Sequence, residues 1–193
     1  MTKRLGLLID GGCLRVWARG AGRDYDAELV ERVAKACVAA DEELFRAILY
    51  ECPPFVGTVT LPISGGSKEF SGSDRWLDDV ARRDFFAVRR GTLKFRGWEP
   101  KVAGVAATDA DFKPNFEQKG VDMQLGLDIA SFSANKAVDR IAVLTADTDL
   151  IPAFQYARQA GLQVVLIGLD PISRKQSDEL TAQVDLHRLV RWP

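Results

Sequence analysis

The stretch IAVLTADTDLIPAFQYARQAGLQVVLI, residues 141–167, contains a complete strand–helix–strand unit and indicates the fold class. Residues 139–146 form an apolar run that predicts a buried strand, and residues 149–160 predict a helix that stops at Gly161. Residues 162–167 predict the next strand. Because both strands are continuous apolar runs rather than alternating ones, they are typical of a parallel sheet that is covered on both faces.

The same alternation of strands and helices runs through the rest of the chain. The predicted strands cover residues 4–9, 44–50 and 184–189, and the predicted helices cover residues 25–40, 74–83, 118–134 and 176–182. Residues 84–98 predict a strand or hairpin, residues 53–73 predict mostly loop, and residues 99–117 show no clear periodicity. We therefore expect an α/β protein, a three-layer α/β/α sandwich with a mostly parallel central sheet. A single domain spanning residues 1–193 would carry an insertion at about residues 53–117.

Composition excludes several classes of protein. Hydrophobic residues make up 47% of the chain, which is enough for a core and argues against disorder. The net charge of −1 gives no whole-chain signature of nucleic-acid binding, so any basic surface must be local. No apolar run approaches the ~20 residues of a membrane span, and the three cysteines lack CxxC spacing, so we expect a cytoplasmic protein without membrane contact. The single histidine, His187, is read as structural and argues against Ser–His or Cys–His catalysis.

Four aspartates lie at the ends of predicted elements. Asp10 ends the first apolar run, Asp122 opens the helix at residues 118–134, and Asp147 and Asp149 follow a buried strand. Open α/β sheets bind their ligands at the carboxyl ends of their strands, where these side chains would meet. Clustered carboxylates repel one another unless a cation neutralises them, and a hard ion such as Mg²⁺ or Mn²⁺ suits oxygen ligands. A metal held in this way usually serves phosphate chemistry.

Each aspartate also has a structural alternative. Asp147 or Thr148 could cap the following helix, and Asp149 would be favoured there by the helix dipole. Asp10 precedes two glycines and could form a turn. Asp122 could be a first-turn residue that is stabilised by the dipole alone. The three stretches taken together favour a shared site, because a parallel sheet brings such positions to one edge.

Three segments resemble a known family: IDGGCL (9–14), KGVDMQLGLDIA (119–130) and VLTADTDLIPAFQYARQAGLQVVLIG (143–168). They resemble the NYN domain of the LabA-like group, within the PIN-like nuclease superfamily. The resemblance implies a PIN-like fold and an acidic pocket that binds Mg²⁺ or Mn²⁺ and cleaves RNA. Carried over by position, it makes the same residues metal ligands and catalytic residues, namely Asp10, Asp122, Asp147 and Asp149.

The resemblance also implies supporting roles for other residues. Lys119 matches the motif lysine and would contact a phosphate or a carboxylate, unless it is simply a solvated helix residue. Thr145 would position a carboxylate or water, with strand-end packing as its alternative. Asp128 lies ~120° around the helix from Asp122, so it would support the site rather than share the ion. Cys13 stands where the family has Asn, and a thiol cannot replace both the donor and the acceptor of an amide, so activity would be weakened if that Asn orients the substrate or a carboxylate. All four acids persist, which favours an active enzyme.

A local basic segment is the candidate RNA-binding surface. Residues 82–101 contain seven basic residues against two acidic ones, with Phe95 and Trp98 interleaved. Basic side chains can follow the backbone of single-stranded RNA while aromatic rings stack on bases. The predicted substrate contacts are Arg89, Arg90 and Lys94. The alternative is a solvated hairpin with its aromatic rings turned to the core, and a smaller candidate surface is Arg174 with Lys175.

Two other functions compete with a ribonuclease. The first is a non-catalytic PIN-like module that binds RNA or a protein partner, or assembles into a homo-oligomer; Cys13 keeps this alternative open. The second is a metal-dependent hydrolase of small phosphoesters. Haloacid-dehalogenase-type enzymes place an Asp two residues after the first one, whereas Asp10 is followed by two glycines. A dinucleotide-binding fold is disfavoured because no GxGxxG follows the first strand.

Overall fold

The computed structural model describes residues 2–102, 104, 107–171 and 176–193. The strands in this part of the chain are β1 (Lys3–Asp10), β2 (Glu42–Glu51), β3 (Gly57–Thr60), β4 (Ser67–Phe70), β5 (Phe86–Arg90), β6 (Thr92–Pro100), β7 (Phe112–Lys119), β8 (Arg140–Leu144), β9 (Gln163–Asp170) and β10 (Leu186–Arg191). The helices are α1 (Gly11–Gly20), α2 (Ala27–Cys37), α3 (Arg75–Ala81), α4 (Val121–Asn135), α5 (Ile151–Gln159) and α6 (Asp178–Thr181). Short 3₁₀ turns cover Asp109–Asp111 and Thr148–Leu150.

The main sheet has six strands in the order β10-β9-β8-β1-β2-β5, and every neighbouring pair is parallel. The first strand lies between β8 and β2, so Ile9 pairs with Leu144 on one side and Leu49 on the other. The predicted α/β class with a mostly parallel sheet is therefore confirmed. Because these strands run in the same direction, their carboxyl ends meet at one edge of the sheet.

Helices cover both faces of this sheet. Leu5, Leu7 and Ile9 of β1 face a core that includes α1, α2 and α3, whereas Leu8 faces a second core with α4, α5 and α6. The alternation follows from the two-residue period of a strand. Full burial of one such side chain contributes roughly 1.5–3 kcal/mol relative to exposure, so apolar residues on both faces of each strand hold the three layers together.

Helix α1 was not predicted, because Asp10 and the two glycines after it were read as a turn. Asp10 instead caps the helix, and its side chain accepts a hydrogen bond from the Cys13 backbone N–H. Gly11 is needed for close packing, since a Cβ there would lie 2.7 Å from the Tyr50 carbonyl oxygen and 2.7 Å from Glu51 Oε2. Burial of the face of the helix that carries Leu14 and Trp17 outweighs the poor helix propensity of glycine.

The segment from 53 to 117 also differs from expectation. Residues 53–73, predicted as loop, contain the antiparallel pair β3–β4, and residues 99–117 contain most of β7, which pairs with β6. These strands are short or only partly buried, so their apolar pattern is weak. The predicted strand or hairpin at residues 84–98 divides at Gly91, with β5 in the main sheet and β6 outside it.

The helix predicted from residue 118 begins later, at Val121. Gly120 has a φ of +85° and separates β7 from α4, because glycine adopts this left-handed conformation without strain. Lys119 consequently ends a strand rather than opening a helix. Within the described residues, no helix is long and apolar enough to cross a membrane.

Candidate active site

Three of the predicted acids line one cavity at the carboxyl edge of the main sheet. Asp10 ends β1, Asp147 follows β8, and Asp122 lies in the first turn of α4; together they line a cavity of about 450 Å³. Asp149 is not among the lining residues, but its charge acts on Asp122 across this site. The parallel arrangement of β1 and β8 explains why acids from distant parts of the chain come together here.

Asp10 is held in place by two donors. Its Oδ1 accepts from the Cys13 backbone N–H at 3.0 Å, and its Oδ2 accepts from Thr145 Oγ1 at 3.0 Å. Thr145 is fully buried and its Oγ1 also accepts from the Asp147 backbone N–H at 3.1 Å. One hydroxyl therefore connects the ends of β1 and β8 and fixes the direction in which Asp10 points.

Asp147 and Asp149 also make the contact expected of a helix cap. Asp147 Oδ1 accepts from the Asp149 backbone N–H at 2.9 Å, at the 3₁₀ turn before α5. This is the structural alternative noted for the Asp-Thr-Asp stretch. A cap leaves the second oxygen of Asp147 available to a ligand in the cavity, so the two readings are compatible.

The carboxylates of the cavity repel one another. Burial raises the pKa of Asp10 above its usual value, and the charges of Asp147 and Glu51 raise it further. The pKa of Asp122 is likewise raised, first by partial burial and then by Asp147, Asp10 and Asp149. In the part of the chain that the structure describes, no Lys or Arg forms an ion pair with Asp10, Asp122, Asp147 or Asp149. Within the described residues, these four acids are therefore not neutralised by a basic side chain.

The carboxylates of the cavity are chemically suited to bind a hard cation, although their present positions do not form a coordination site. Carboxylate oxygens are the ligands that Mg²⁺ and Mn²⁺ prefer. Among the described residues, however, no three Asp, Glu, Cys or His side chains lie close enough together to hold an ion as they stand. Mutual repulsion opposes a closer approach of these acids, and a bound cation would remove that repulsion.

Asp128 lies outside the cavity and ties α4 to the sheet. Its Oδ2 accepts from the Tyr50 hydroxyl at 2.8 Å and from Arg89 Nε at 3.0 Å, and its Oδ1 accepts from Arg89 Nη2 at 3.3 Å. Tyr50 belongs to β2 and Arg89 to β5. The residue thus connects three elements, and this geometry allows it to support the helix that carries Asp122.

The basic segment is largely neutralised within the molecule. Five of its seven basic residues form ion pairs: Arg82 with Asp79, Arg83 with Glu31, Arg89 with Asp128, Arg90 with Asp74 and Asp78, and Arg96 with Glu117. Among the described residues, Lys94 forms none, and Lys119 is paired with Glu117. Substrate binding by Arg89, Arg90 and Lys94 remains a prediction, and Lys94 is the member whose charge is available. Arg174 and Lys175 lie outside the described residues.

Glu51 is a fifth acid of the site that the sequence reasoning missed. Its side chain is 1% exposed at the end of β2, and its charge acts on Asp10. Glu51 Oε2 accepts from the Tyr25 hydroxyl at 2.8 Å, while Oε1 accepts from Gln118 Nε2 at 3.4 Å and lies 3.4 Å from Arg15 Nη1. An acid after an apolar strand was the signal used for Asp10, and the same signal marks Glu51.

Gln176 was also missed, and it braces Thr145 from the other side. This buried residue donates through Nε2 to the carbonyl oxygens of Thr145 at 2.5 Å and Ile167 at 3.0 Å. Its Oε1 contacts His187 Nε2 at 2.8 Å, which fits the structural role expected of the only histidine. The Gln176 side chain therefore links the residue that follows β8 to a residue within β9.

A parallel α/β sandwich with acids gathered at its carboxyl edge is the architecture of a PIN-like nuclease domain. The chain belongs to the NYN domain family, which matches residues 67–189, and NYN is a PIN-like nuclease family. The matched part includes Asp122, Asp147 and Asp149, whereas Asp10 precedes it.

Two relatives match short parts of the chain. The uncharacterized protein MJ0482 of Methanocaldococcus jannaschii is 32% identical over 66 residues, which is 34% of this chain and 28% of that protein. The uncharacterized protein y4oD of Sinorhizobium fredii is 30% identical over 69 residues, 36% of this chain and 32% of that protein. The chain thus spans less than a third of the length of either relative.

A solved structure shows the same fold. The crystal structure of VPA0982, a protein of unknown function from Vibrio parahaemolyticus, superposes with a TM-score of 0.56. The match covers 97% of this chain and 93% of that one at 14% sequence identity, so it supports the architecture and not a shared activity.

Proposed function

We propose that this domain is a divalent-metal-dependent ribonuclease that hydrolyses RNA phosphodiester bonds at the acidic cavity. The observation that carries the proposal is the convergence of acids from separate elements on one cavity, without a compensating basic side chain among the described residues. Uncompensated carboxylates disfavour the folded state unless a cation binds them. Membership of a PIN-like nuclease family supports a nucleic acid as the substrate.

Asp10, Asp122, Asp147 and Asp149 are the residues that would hold Mg²⁺ or Mn²⁺. When bound, such an ion lowers the pKa of a water molecule and neutralises charge on the phosphate. The residues of the chain supply alignment: Thr145 and the Cys13 backbone fix the carboxylate of Asp10. No histidine is required, which agrees with the contact that His187 makes with the side chain of Gln176.

The test is cleavage of a labelled single-stranded RNA in Mg²⁺ or Mn²⁺, with EDTA as the blank. We expect Asp10→Asn and Asp149→Asn to lose at least ~10²-fold in rate, since residues that only support a metal ligand already cost 10–100-fold when mutated. Asp139→Asn is the matched control, because Asp139 lies at the opposite edge of the sheet and accepts from the Arg4 backbone N–H. Equal cleavage by wild type and Asp10→Asn would assign the activity to another site or to a contaminant.

A catalytically weak RNA-binding or protein-interaction module is the second candidate, and Cys13 is the observation that favours it. Cys13 lines the acidic cavity, and its backbone N–H donates to Asp10 Oδ1. An Asn at this position would add a side-chain donor and acceptor. A weak wild-type enzyme whose rate rises in Cys13→Asn would support this candidate, whereas brisk cleavage that Cys13→Asn leaves unchanged or lowers would refute it.

A further inference from the structure

A second cavity, of about 380 Å³, lies beside the acidic one and is mainly aromatic. Its lining includes Arg15, Tyr25, Phe55, Phe70, Trp76 and Phe116. The rings come from separate elements, with Phe70 on β4 and Phe116 on β7. The volume falls within the range of small-molecule sites, about 300–1,000 Å³. We call this space the aromatic cavity.

The rings of the aromatic cavity are ordered by one another. Phe116 lies 5.5 Å from Phe55 and 5.4 Å from Phe70, centroid to centroid, and Tyr25 meets Trp76 edge to face at 5.2 Å. These separations are those that aromatic pairs prefer. All five aromatic residues nevertheless remain partly exposed and line the cavity.

The aromatic and acidic cavities share a wall. Phe116 lines the first and Gln118 lines the second; they are two residues apart on β7, so they occupy one face of the strand roughly 7 Å apart. Buried Glu51 holds the wall together, because it bonds both Gln118 and Tyr25 and lies beside Arg15. A ligand bound in the acidic cavity would therefore have its neighbouring groups close to the aromatic cavity.

Two basic side chains, Arg15 and Lys68, lie at the aromatic cavity. Arg15 lines it, and its only ion pair within the described part of the chain is with Glu51 at 3.4 Å. Lys68 lies over the rings of Phe70 at 5.3 Å and Trp98 at 5.5 Å. Lys68 forms no ion pair with a described residue, unlike most arginines of the basic segment. These charges match a phosphate backbone that approaches the rings.

We propose that the aromatic cavity binds a base of single-stranded RNA next to the phosphate that lies at the acids. This inference rests on the proposed function of the acidic cavity. Stacking on aromatic faces tolerates any base, because every base has a π-face, and it requires a base that is not paired in a duplex. The ligand is thus a single strand, and the site selects it without reading its sequence.

The experiment compares two short oligomers that carry the same fluorescent label, one a single-stranded RNA and the other the same length of abasic ribose phosphate. Binding is measured by fluorescence anisotropy in Mg²⁺, with every protein carrying Asp149→Asn to prevent cleavage. The test variants are Phe55→Leu and Phe116→Leu, which keep apolar bulk and remove the ring. The matched control is Phe45→Leu, since Phe45 lies six residues before Glu51 on β2, about 20 Å from the site.

We expect the unsubstituted aromatic cavity to bind the base-carrying oligomer about tenfold more tightly than the abasic one. Phe55→Leu and Phe116→Leu should bring the two affinities close together, and Phe45→Leu should preserve the preference. Circular dichroism would verify that each variant is folded. Should one test variant fail to fold, Phe55→Tyr, which keeps the stacking face, is expected to keep the preference and so supplies the second measurement.

Equal affinities for the two oligomers in the parent protein would overturn the proposal, as would a preference that survives both leucine variants. Absence of binding to either oligomer would overturn it as well. The outcome is separable from that of the proposed nuclease. Base-dependent binding by a protein that never cleaves RNA would uphold the aromatic cavity and reject the hydrolase, whereas cleavage by a protein that binds both oligomers equally would do the opposite.

Discussion

Two buried carboxylates at opposite edges of the main sheet, Glu42 and Asp10, have opposite surroundings. At the amino edge, Glu42 accepts from Arg140 Nη1 at 2.5 Å and from Arg188 Nη2 at 2.7 Å. At the carboxyl edge, the described donors to the Asp10 carboxylate are the Cys13 backbone N–H and the Thr145 hydroxyl, which are neutral, and the charges of Asp147 and Glu51 raise its pKa. The ion pairs of Glu42 stabilise the folded state. The repulsion between Asp10 and the neighbouring acids destabilises it, and a bound cation would remove that repulsion.

This contrast separates a structural acid from a functional one by its partners. Both oxygens of Glu42 accept hydrogen bonds. The two arginines donate to Oε1, and the Ala39 backbone N–H donates to Oε2 at 2.7 Å. Acids that a fold leaves without cations tend to mark sites of function. The same substitution, carboxylate to amide, should therefore change stability in opposite directions at Glu42 and at Asp10.

The largest effect is expected at the amino edge. Glu42→Gln removes a fully buried charge and leaves Arg140 and Arg188 without their shared partner. Breaking a buried ion pair in this way typically costs ~3–5 kcal/mol of unfolding free energy. Urea unfolding followed by circular dichroism measures the loss. A change below about 1 kcal/mol would mean that the arginines find other partners.

The pH dependence of stability should show the same pairing. Burial alone would raise the pKa of Glu42, but hydrogen bonds from Arg188 and Arg140 outweigh it and lower the pKa to about 2, from 4.5. Because the pKa of Glu42 is lower in the folded state, the ionised carboxylate stabilises the fold. This contribution to the free energy of unfolding is complete above pH 4.5 and is lost as the pH falls towards 2. At ~1.4 kcal/mol per pKa unit the loss is on the order of 3 kcal/mol. Unfolding curves of wild type and Glu42→Gln should converge over this range; parallel curves would contradict the pairing.

A smaller effect of the opposite sign is expected at the carboxyl edge. Asp10→Asn keeps one oxygen for the cap of α1 and places an amide N–H donor against Thr145 Oγ1, and it removes one of several charges that repel each other. Replacing a functional residue of this kind commonly stabilises a protein, by ~0.5–2 kcal/mol. The measurement is urea unfolding in EDTA. Destabilisation comparable to that of Glu42→Gln would show that Asp10 is a structural acid.

Sequence reasoning found the carboxyl edge because its signals are local. An acid directly after a buried strand, as at Asp10 and Asp147, combined with parallel strands, is enough to predict a common location. Glu51 has the same signal, but it lies outside the three segments that resemble the family. Helix α1 was missed because paired glycines are poor helix formers, and only tertiary burial of Trp17 reveals it.

The interpretation of the basic segment depended on information that a local count lacks. Arg83, Arg89 and Arg96 look like a free positive surface within residues 82–101. Their partners Glu31, Asp128 and Glu117 lie outside that window and become neighbours only through folding. The aromatic cavity was equally hidden, because its rings come from positions as distant as Tyr25 and Phe116.

The central claim is that the carboxyl edge binds a divalent cation through its uncompensated acids. Calorimetric titration of Mn²⁺ into the metal-free protein tests it most directly, with Asp139→Asn as the control at the amino edge. We predict saturable binding by wild type and Asp139→Asn, and its loss in Asp10→Asn and Asp122→Asn. Wild-type protein that binds no Mn²⁺, or Asp10→Asn protein that binds it as well as wild type, would contradict the account.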